Sequence, residues 1–263
     1  MQLSDFKGHW ALVTGASSGI GHEFALQLAQ AGVNLVLVAR REERLQALAD
    51  TLRSRHGIAT HVAAADLGAA GAVDALKARL AQSGIRVRLL VNNAGAGRWG
   101  RFMDGSAADY ERINALNTTA LMAMCHAFFA DLAASPGGAV INVSSAAAYQ
   151  PVPYMAMYAA SKAFVHSFSQ ALHGEWKAHG ILVQTLVPGP TESEFDAKAG
   201  AYESALTQRD TPARVVQASL AGLASGAPVV AVAKGTYKQR FFAGLFPPAM
   251  VIREVGKMFK PPE

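Results

Sequence analysis

The segment HWALVTGASSGIG, residues 9–21, joins an apolar run to a glycine-rich turn and decides the fold. The run at 9–14 has the composition of a buried strand, and the apolar-periodic stretch that follows the turn, up to Ala31, is typical of a helix. Glycines allow positive φ and a close approach of the backbone to a ligand. The N–H groups at the start of the following helix suit a pyrophosphate. The segment therefore predicts a dinucleotide-binding unit of strand, turn and helix.

The same alternation of apolar runs and helix-periodic segments continues along the chain. Such alternation predicts a parallel sheet with helices on both faces, so we predict an α/β chain that forms one doubly wound domain over residues 1–263. Further strands are predicted at 34–39, 60–64, 87–91, 139–144, 181–187 and near 228–233. Helices are predicted at 41–55, 69–82, 106–134, 156–179 and 212–224.

Two segments lie outside this regular alternation. The polar, alanine-rich segment 190–210 is long for a connection, which is typical of a substrate lid. The tail 237–263 mixes basic with apolar residues and is divided by Pro247 and Pro248, which favours two short amphipathic pieces. The tail could pack on its own domain, join subunits or lie on a membrane surface. Packing on its own domain is the preferred interpretation.

Composition and charge limit the classes of function. With 51% hydrophobic and 16% charged residues, the chain has the composition of a globular protein with a large core. Cys125 is its one cysteine, which predicts a reducing compartment, the cytoplasm. We expect no signal peptide, because the N-terminal segment MQLSDFKGHW has no apolar core. We expect no membrane-spanning helix either, because no apolar run reaches the roughly 18 residues required. The 24 Lys and Arg are scattered, which argues against nucleic acid as a partner.

A tyrosine and a lysine four residues apart form the candidate proton-transfer pair. In the predicted helix 156–179 this spacing puts the Tyr158 hydroxyl and the Lys162 ammonium on one face. A nearby cation favours the ionised phenol, so we expect a lowered pKa for Tyr158 and a role in general acid–base catalysis. Ser145, thirteen residues before the tyrosine, could donate a hydrogen bond to the same substrate oxygen. The same spacing also occurs on solvated helix faces without function.

Two arginines follow the predicted strand 34–39, and no acidic residue stands at that strand end. An acidic residue there would pair with the ribose hydroxyls of NAD, whereas arginine binds the additional phosphate of NADP through charge-assisted hydrogen bonds. The sequence therefore predicts NADP(H) as the preferred coenzyme, with Arg40 as the better candidate to bind the phosphate. Arg41 is equally suited to begin a solvated helix.

Polar and small residues occur at the carboxyl ends of the next strands, where open parallel sheets bind ligands. Asp66 can accept a hydrogen bond from an adenine amino group, and the small residues of 92–95 let the chain pass close to a coenzyme. Asn92 is expected to hold neighbouring strands together. Asn117 lies in an apolar stretch, so we expect its amide to bind backbone and water and to kink the helix. That water could feed protons to Lys162.

Several aromatic and basic side chains are expected near a substrate. Tyr149 and Tyr154 compete with Tyr158 for the acid role, but neither has a lysine four residues later. The residues expected to shape the pocket are Arg98, Trp99, Arg101, Phe102, Phe195 and Tyr202, although the arginines suit a solvated loop equally well.

Together these motifs resemble the short-chain dehydrogenases/reductases. The resemblance covers residues 9–233 and rests on TGASSGIG at 14–21, Asp66-Leu67, NNAG at 92–95, Asn117, Ser145, YAASK at 158–162 and Pro188-Gly189. It implies a Rossmann-type sheet of about seven parallel strands, a nicotinamide coenzyme, and a catalytic group of Asn117, Ser145, Tyr158 and Lys162. With Arg40, the expected coenzyme-binding residues are Gly15, Ser17, Ser18, Gly19, Ile20, Gly21, Asp66, Leu67, Asn93, Ala94, Gly95, Tyr158, Lys162, Pro188, Gly189 and Thr191.

The resemblance also implies an activity. We expect an NADP(H)-dependent oxidoreductase that transfers hydride between the nicotinamide and a small or lipophilic ketone or the corresponding secondary alcohol. Residues 139–195 look most like the bacterial DltE-like and 3-oxoacyl reductase-like branches, and Thr191 and Ser193 compete to hold the nicotinamide carboxamide. A homodimer or homotetramer is expected, and no metal. The alternative is a non-catalytic NADP-binding regulatory or scaffolding protein of the same fold, against which the intact Ser145, Tyr158 and Lys162 argue.

Overall fold

The structure, a computed structural model, describes residues 1–134, 137–200, 209–232 and 244–261. Seven strands form one sheet, and every neighbouring pair is parallel. The strands are β1 Trp10–Thr14, β2 Asn34–Ala39, β3 Thr60–Ala64, β4 Val87–Asn92, β5 Ala139–Val143, β6 Leu182–Val187 and β7 Val229–Ala231. Their order across the sheet is β3-β2-β1-β4-β5-β6-β7. The predicted doubly wound parallel sheet is confirmed.

Helices connect the strands and cover both faces of the sheet. They are α1 Gly19–Gln30, α2 Glu42–His56, α3 Ala72–Gln82, α4 Ala107–Asn114, α5 Leu121–Ala133, α6 Ala156–Trp176, α7 Phe195–Ala199, α8 Pro212–Ser225 and α9 Pro248–Phe259. In β1, Ala11 and Val13 point into one buried cluster and Leu12 into the other. Because both faces are buried, the strands are almost continuously apolar.

The predicted helical region 106–134 is interrupted in its middle. A π-helical turn at Ala115–Ala120 separates α4 from α5, and the buried Asn117 lies within this turn. Its side-chain amide donates to the Ala96 carbonyl and accepts from the Ala96 N–H, both at 2.9 Å. The wide turn brings a polar side chain to a backbone segment it would otherwise miss, as π-helical turns do at many functional sites. The backbone part of the expected role of Asn117 is therefore confirmed.

Asn92 joins two strands inside the sheet, as the sequence predicted. Its amide donates to Asn142 Oδ1 at 2.9 Å, which links the end of β4 to β5. The Asn142 amide in turn donates to the Ser169 hydroxyl at 3.0 Å and so reaches α6. A buried hydrogen-bonded chain of this kind sets the position of the helix that carries Tyr158 and Lys162.

The C-terminal helix α9 packs on the domain to which it belongs. The Trp99 indole donates to the Phe259 carbonyl at 2.9 Å, and the two rings stack with centroids 4.8 Å apart. Val255 is buried in the same contact. The preferred interpretation of the tail is confirmed for the described part, while 237–243, 262 and 263 lie outside the described residues. The described helices are all too short or too polar to cross a bilayer.

Two glycines in helices provide a test of this packing. A Cβ atom on Gly21 would lie 2.4 Å from both Asn93 Nδ2 and the Gly15 carbonyl oxygen, whereas one on Gly174 meets nothing within 4 Å. We expect Gly21→Ala to lower the free energy of unfolding by about 1–3 kcal/mol through overpacking. Gly174→Ala should raise it by about 0.5–1 kcal/mol, since alanine favours the helix. Urea unfolding followed by circular dichroism measures both; equal stability of the two variants would contradict the tight contact.

Candidate active site

The glycine-rich turn and the 92–95 segment are held side by side at the carboxyl edge of the sheet. The Thr14 hydroxyl accepts from the N–H groups of Asn93 and Ala94, each at 2.9 Å, and donates to the Val91 carbonyl. The Asn93 amide donates to the Thr14 carbonyl at 2.9 Å. These bonds bring the first and fourth strand ends together, in the place where an open parallel sheet binds ligands.

The turn has the shape required to hold a pyrophosphate. Gly15 and Gly19 have φ of 68° and 56°, a region that other residues rarely adopt. A Cβ atom on Gly15 would lie 2.7 Å from Asn93 Nδ2. Ser17, Ser18 and Ile20 remain partly exposed around the first turn of α1, whose N–H groups suit an anion. The residues present therefore fit a dinucleotide coenzyme.

The two arginines after β2 take different positions. The Arg41 guanidinium lies against the turn, with Nη2 3.0 Å from Ser17 Oγ and 3.2 Å from Ser18 Oγ. Arg40 is exposed at the strand end. The structure thus brings Arg41 to the coenzyme turn, whereas phosphate binding by Arg40 stays a prediction.

Arg41 also contacts a residue that the sequence did not single out. Its Nη1 pairs with Glu194 at 2.8 Å, and the same carboxylate accepts from Arg44 Nη1 at 2.5 Å and Lys198 Nζ at 2.6 Å. Hydrogen bonds from Lys198, Arg44 and Arg41, in that order, hold the pKa of Glu194 well below its usual range. No local pattern marks this residue, because its partners Arg41 and Arg44 are about 150 positions away in the chain.

Asp66 and Leu67 follow β3 at the same edge of the sheet. The Asp66 side chain is exposed and accepts from the Gly68 N–H at 3.2 Å, whereas Leu67 is buried. The position of Asp66 is compatible with the expected adenine contact, which stays a prediction.

Strand β5 and helix α6 bring the candidate catalytic residues together. Strand β5 ends at Val143 and delivers Ser144 and Ser145 to the carboxyl edge. The Ser145 hydroxyl lies close enough to the Tyr158 hydroxyl to affect its pKa. The buried Lys162 ammonium donates to the Val143 carbonyl at 2.8 Å, and the Ser144 hydroxyl donates to the Lys162 carbonyl at 2.8 Å. The end of the strand therefore positions the helix directly.

The expected lowering of the Tyr158 pKa is wrong for this geometry. Burial raises the pKa of Tyr158 to about 12; the nearby Ser145 hydroxyl acts in the opposite direction, and the Asp196 carboxylate adds to the rise. Burial also lowers the pKa of Lys162 to about 8. The ammonium lies 5.8 Å from the centre of the phenol ring and donates to a carbonyl instead, so loss of hydration outweighs its attraction for a phenolate. At neutral pH Tyr158 therefore carries a proton that it can donate.

Asn117 lies beside the same site, next to Gly95 and Ser161. A Cβ atom on Gly95 would lie 3.4 Å from both Asn117 Oδ1 and Lys162 Nζ, so these groups flank the same small space. The Asn117 amide also donates to the Ser161 hydroxyl at 2.9 Å, which donates to the Tyr158 carbonyl at 2.7 Å. Ser161 was not predicted, although a serine one turn after Tyr158 on a buried helix face is a visible signal.

The loop after β6 borders the site. The Pro188 carbonyl accepts from the Ala146 N–H at 2.9 Å, which ties this loop to the residues after Ser145. The Thr191 hydroxyl donates to the Gly189 carbonyl at 3.0 Å, whereas Ser193 Cβ lies 3.0 Å from a Cβ position on Gly19. Both candidates for the nicotinamide carboxamide therefore remain near the site, and the choice between them stays open.

An apolar wall adjoins Tyr158. The Phe195 ring, at the start of α7, lies 5.1 Å from the Tyr158 ring, and a Cβ atom on Gly97 would lie 2.6 Å from Phe195 Cζ. Both aromatic rings pack against a buried cluster formed by Trp99, Val152, Met155, Ala159 and Val255. The wall thus combines the start of α7, the loop after 95, the start of α6 and the C-terminal helix.

The remaining residues expected around a pocket lie in different places. Arg98 donates to the Asp104 carbonyl, Arg101 is exposed, and Phe102 is exposed and stacks on Tyr110. Tyr202 and the rest of 201–208 lie outside the described residues. Of these side chains, Trp99 and Phe195 are the two that the described structure places in the wall beside Tyr158.

The two rival tyrosines also differ in position. The Tyr149 ring packs edge-on against His166, and Tyr154 joins the apolar wall. Tyr154 is the one non-glycine residue of the described ranges with positive φ, 67°. Its carbonyl accepts from the Gly100 N–H at 2.9 Å, so a strained backbone holds the 98–102 loop against the start of α6.

Comparison with known proteins agrees with this geometry. A family profile described as short chain dehydrogenase matches residues 9–204. The very-long-chain 3-oxoacyl-CoA reductase of Bos taurus is 34% identical over 185 residues, which cover 69% of this chain and 59% of the relative. The 17-beta-hydroxysteroid dehydrogenase type 3 of Mus musculus is 34% identical over 184 residues, with the same coverage of both chains. This chain matches about three fifths of the length of these curated relatives.

Solved structures match a larger share. A short-chain dehydrogenase from Sphingobium yanoikuyae in complex with NADPH has a TM-score of 0.82 and 35% identity, over 90% of this chain and 93% of its own. The bulky-bulky ketone specific alcohol dehydrogenase from Comamonas testosteroni has a TM-score of 0.77 and 32% identity, over 90% and 92%. The profile, the shared fold and the assembled motifs agree: the chain belongs to the short-chain dehydrogenase/reductase family, in a branch that resembles the 3-oxoacyl reductases.

Proposed function

We propose that the protein is an NADP(H)-dependent oxidoreductase that reduces a carbonyl group on an apolar substrate and oxidises the corresponding secondary alcohol. The observation that carries this proposal is the grouping of Ser145 and Tyr158 with the buried Lys162, whose ammonium lies beside Gly95 in the segment held against the glycine-rich turn. A protein that only binds a nucleotide has no need of a protonated phenol, a hydroxyl and an ammonium at this edge.

The chain supplies the proton and the charge stabilisation. The coenzyme, when bound in the glycine-rich turn, supplies the hydride to the carbonyl carbon. Tyr158 then donates its phenolic proton to the carbonyl oxygen, which becomes strongly basic as it gains electrons. Ser145 donates a hydrogen bond to the same oxygen, and the Lys162 ammonium offsets the charge left on the phenol. Because the Tyr158 pKa is raised to about 12, the phenol is protonated at neutral pH, which is the form that the reductive direction requires.

The apolar wall supports a lipophilic substrate. The side chains of the wall against which the Tyr158 ring packs are aromatic or aliphatic, and the buried Trp99 and Val255 bring the C-terminal helix into the same wall. Apolar surface of this kind binds through the hydrophobic effect and has few groups that would hydrogen-bond a polar substrate. The solved relative that is specific for bulky-bulky ketones supports the same class.

Removal of the phenolic hydroxyl tests the reaction. We expect Tyr158→Phe to lower the rate of ketone reduction by about 10²–10⁴-fold, because the general acid is lost, and to leave NADPH binding nearly unchanged. The assay follows NADPH absorbance with a panel of ketones, and NADPH fluorescence titration measures binding. Tyr149→Phe, which removes a hydroxyl from a ring packed on His166, is the control and should keep its activity. Undiminished turnover of Tyr158→Phe would reject the mechanism.

The pKa of Lys162 predicts the pH dependence of both directions. Because burial lowers this pKa to about 8, the ammonium is lost as pH rises through that value, while Tyr158 stays protonated. The kcat/KM for reduction should therefore be constant below about pH 8 and fall above it. Oxidation needs an ionised phenol beside a charged ammonium. Its kcat/KM should therefore rise with pH and level off near 8, because above this value the loss of the ammonium offsets the gain in phenolate. Lys162→Arg keeps its charge and should show no change of slope there; a reductive rate that rises across this range would contradict the assignment.

The choice of coenzyme rests on the arginines after β2. Arg41 lies against Ser17 and Ser18, and a solved relative binds NADPH, which supports a 2′-phosphate at this guanidinium. We expect Arg41→Ala to weaken NADPH binding by about 10–100-fold and to leave NADH binding nearly unchanged, since a charge-assisted hydrogen bond is lost. Isothermal titration measures both coenzymes. Arg40→Ala, measured in parallel, shows whether the exposed arginine reaches the same phosphate; equal losses of NADPH and NADH affinity in Arg41→Ala would exclude the proposed contact.

A further inference from the structure

A carboxylate from the lid lies where the coenzyme phosphate is proposed to bind. Glu194 immediately precedes α7, and its carboxylate accepts from Arg41, Arg44 and Lys198 at 2.5–2.8 Å. Two of these three cations belong to the segment that follows β2, and Arg41 is the one that also contacts the glycine-rich turn. Glu194 therefore links the substrate lid to the coenzyme side of the site.

The position of this carboxylate is set by the structure around it. On one side of Glu194, the Ser193 hydroxyl accepts from the Phe195 N–H at 3.2 Å, and Ser193 packs against Gly19. On the other side, the Phe195 ring packs on Tyr158. The Trp99 N–H donates to the Ala199 carbonyl at 2.7 Å, which anchors the far end of α7. The lid thus presents Glu194 to the arginines in a defined geometry.

A phosphate and this carboxylate require the same donors. In Arg41, Nη1 donates to Glu194, while Nε and Nη2 donate to Ser17 Oγ. A guanidinium binds carboxylates and phosphates through the same planar set of N–H groups. A phosphate that approaches Arg41 and Arg44 must therefore displace Glu194 or share the arginines with a second anion, which costs repulsion at close range.

We propose that Glu194 is a specificity-determining residue, an internal anion that competes with the 2′-phosphate of NADP(H) for Arg41 and Arg44. The inference rests on the proposed function, because it requires the phosphate to bind at these arginines. NADH carries hydroxyl groups at the same place, which neither need the guanidinium nor repel the carboxylate. Glu194 consequently weakens NADP(H) binding selectively and narrows the difference in affinity between the two coenzymes.

The charge of the cluster explains why binding of NADP(H) survives this competition. Arg41, Arg44 and Lys198 supply three positive charges to one carboxylate, so the region stays positive when Glu194 is paired. Lys198 lies four residues after Glu194 and can remain paired with its carboxylate when the arginines bind the phosphate. Competition should thus reduce the affinity for NADP(H) without reversing the preference for NADP(H) over NAD(H).

Neutralisation of the carboxylate tests the inference. Isothermal titration of the 263-residue chain would use NADPH, NADH and 2′,5′-ADP as probes. We expect Glu194→Gln to bind NADPH and 2′,5′-ADP about threefold to tenfold more tightly than the unaltered chain and to bind NADH equally well, since exposed ion pairs have modest strength. The gain should shrink at high salt, because the competing contacts are ionic.

A matched control and a second background separate this effect from a general change in charge. Glu254 also pairs with two cations, Arg253 and Lys257, but lies on α9, so Glu254→Gln should leave all three affinities unchanged. In the Arg41→Ala background, the gain from Glu194→Gln should largely disappear, because the shared donor is absent. Thermal unfolding of each variant checks that the fold is retained.

The outcomes distinguish the two proposals. If Glu194→Gln leaves the NADPH affinity unchanged, or raises the affinities for NADPH and NADH equally, the proposed competition is wrong. This holds even if Arg41→Ala still loses affinity for NADPH alone. If the unaltered chain and Arg41→Ala each bind NADPH and NADH equally, the proposed coenzyme preference itself fails. A selective gain that depends on Arg41 supports the inference.

Discussion

The ammonium of Lys162 is buried, and a buried charge must find partners inside the protein. It donates to the Val143 carbonyl at the end of β5, while the Ser144 hydroxyl donates to the Lys162 carbonyl. These two bonds join the strand end to α6 and thereby set where the Tyr158 hydroxyl lies relative to Ser145. The candidate site is thus assembled around one unfavourable burial that the surrounding backbone compensates.

Loss of hydration around the buried Lys162 and the partly buried Tyr158 also sets the chemistry of the pair. Loss of hydration favours the neutral form of both groups, so the pKa of Lys162 falls to about 8 while that of Tyr158 rises to about 12. The phenol is therefore held in the form that donates a proton. A low local dielectric also strengthens the hydrogen bonds of the buried Lys162.

Polar groups connect the coenzyme-binding part of the site, at the ends of β1 and β4, to the part around Tyr158 on α6. The π-helical turn places the Asn117 amide on Ala96 and Ser161, and so links the chain after β4 to α6. The start of α7 makes a second connection: Glu194 pairs with the Arg41 guanidinium beside the glycine-rich turn, and the adjacent Phe195 packs on the Tyr158 ring. Binding of a coenzyme and of a substrate are thereby expected to influence each other through adjacent residues of one short helix.

The sequence alone determined the sheet, its parallel character and the order of the motifs, because strand and helix periods and glycine-rich turns are local properties. It also made Tyr158 and Lys162 a candidate pair, since a four-residue spacing on a helix is enough to place two side chains on one face. Tertiary structure decided that Arg41 lies on the turn while Arg40 faces solvent, because adjacent side chains diverge where a strand passes into a helix. It alone decided the direction of the Tyr158 pKa and the position of Glu194, since burial and contacts between residues about 150 positions apart are properties of the packed chain and leave no local pattern.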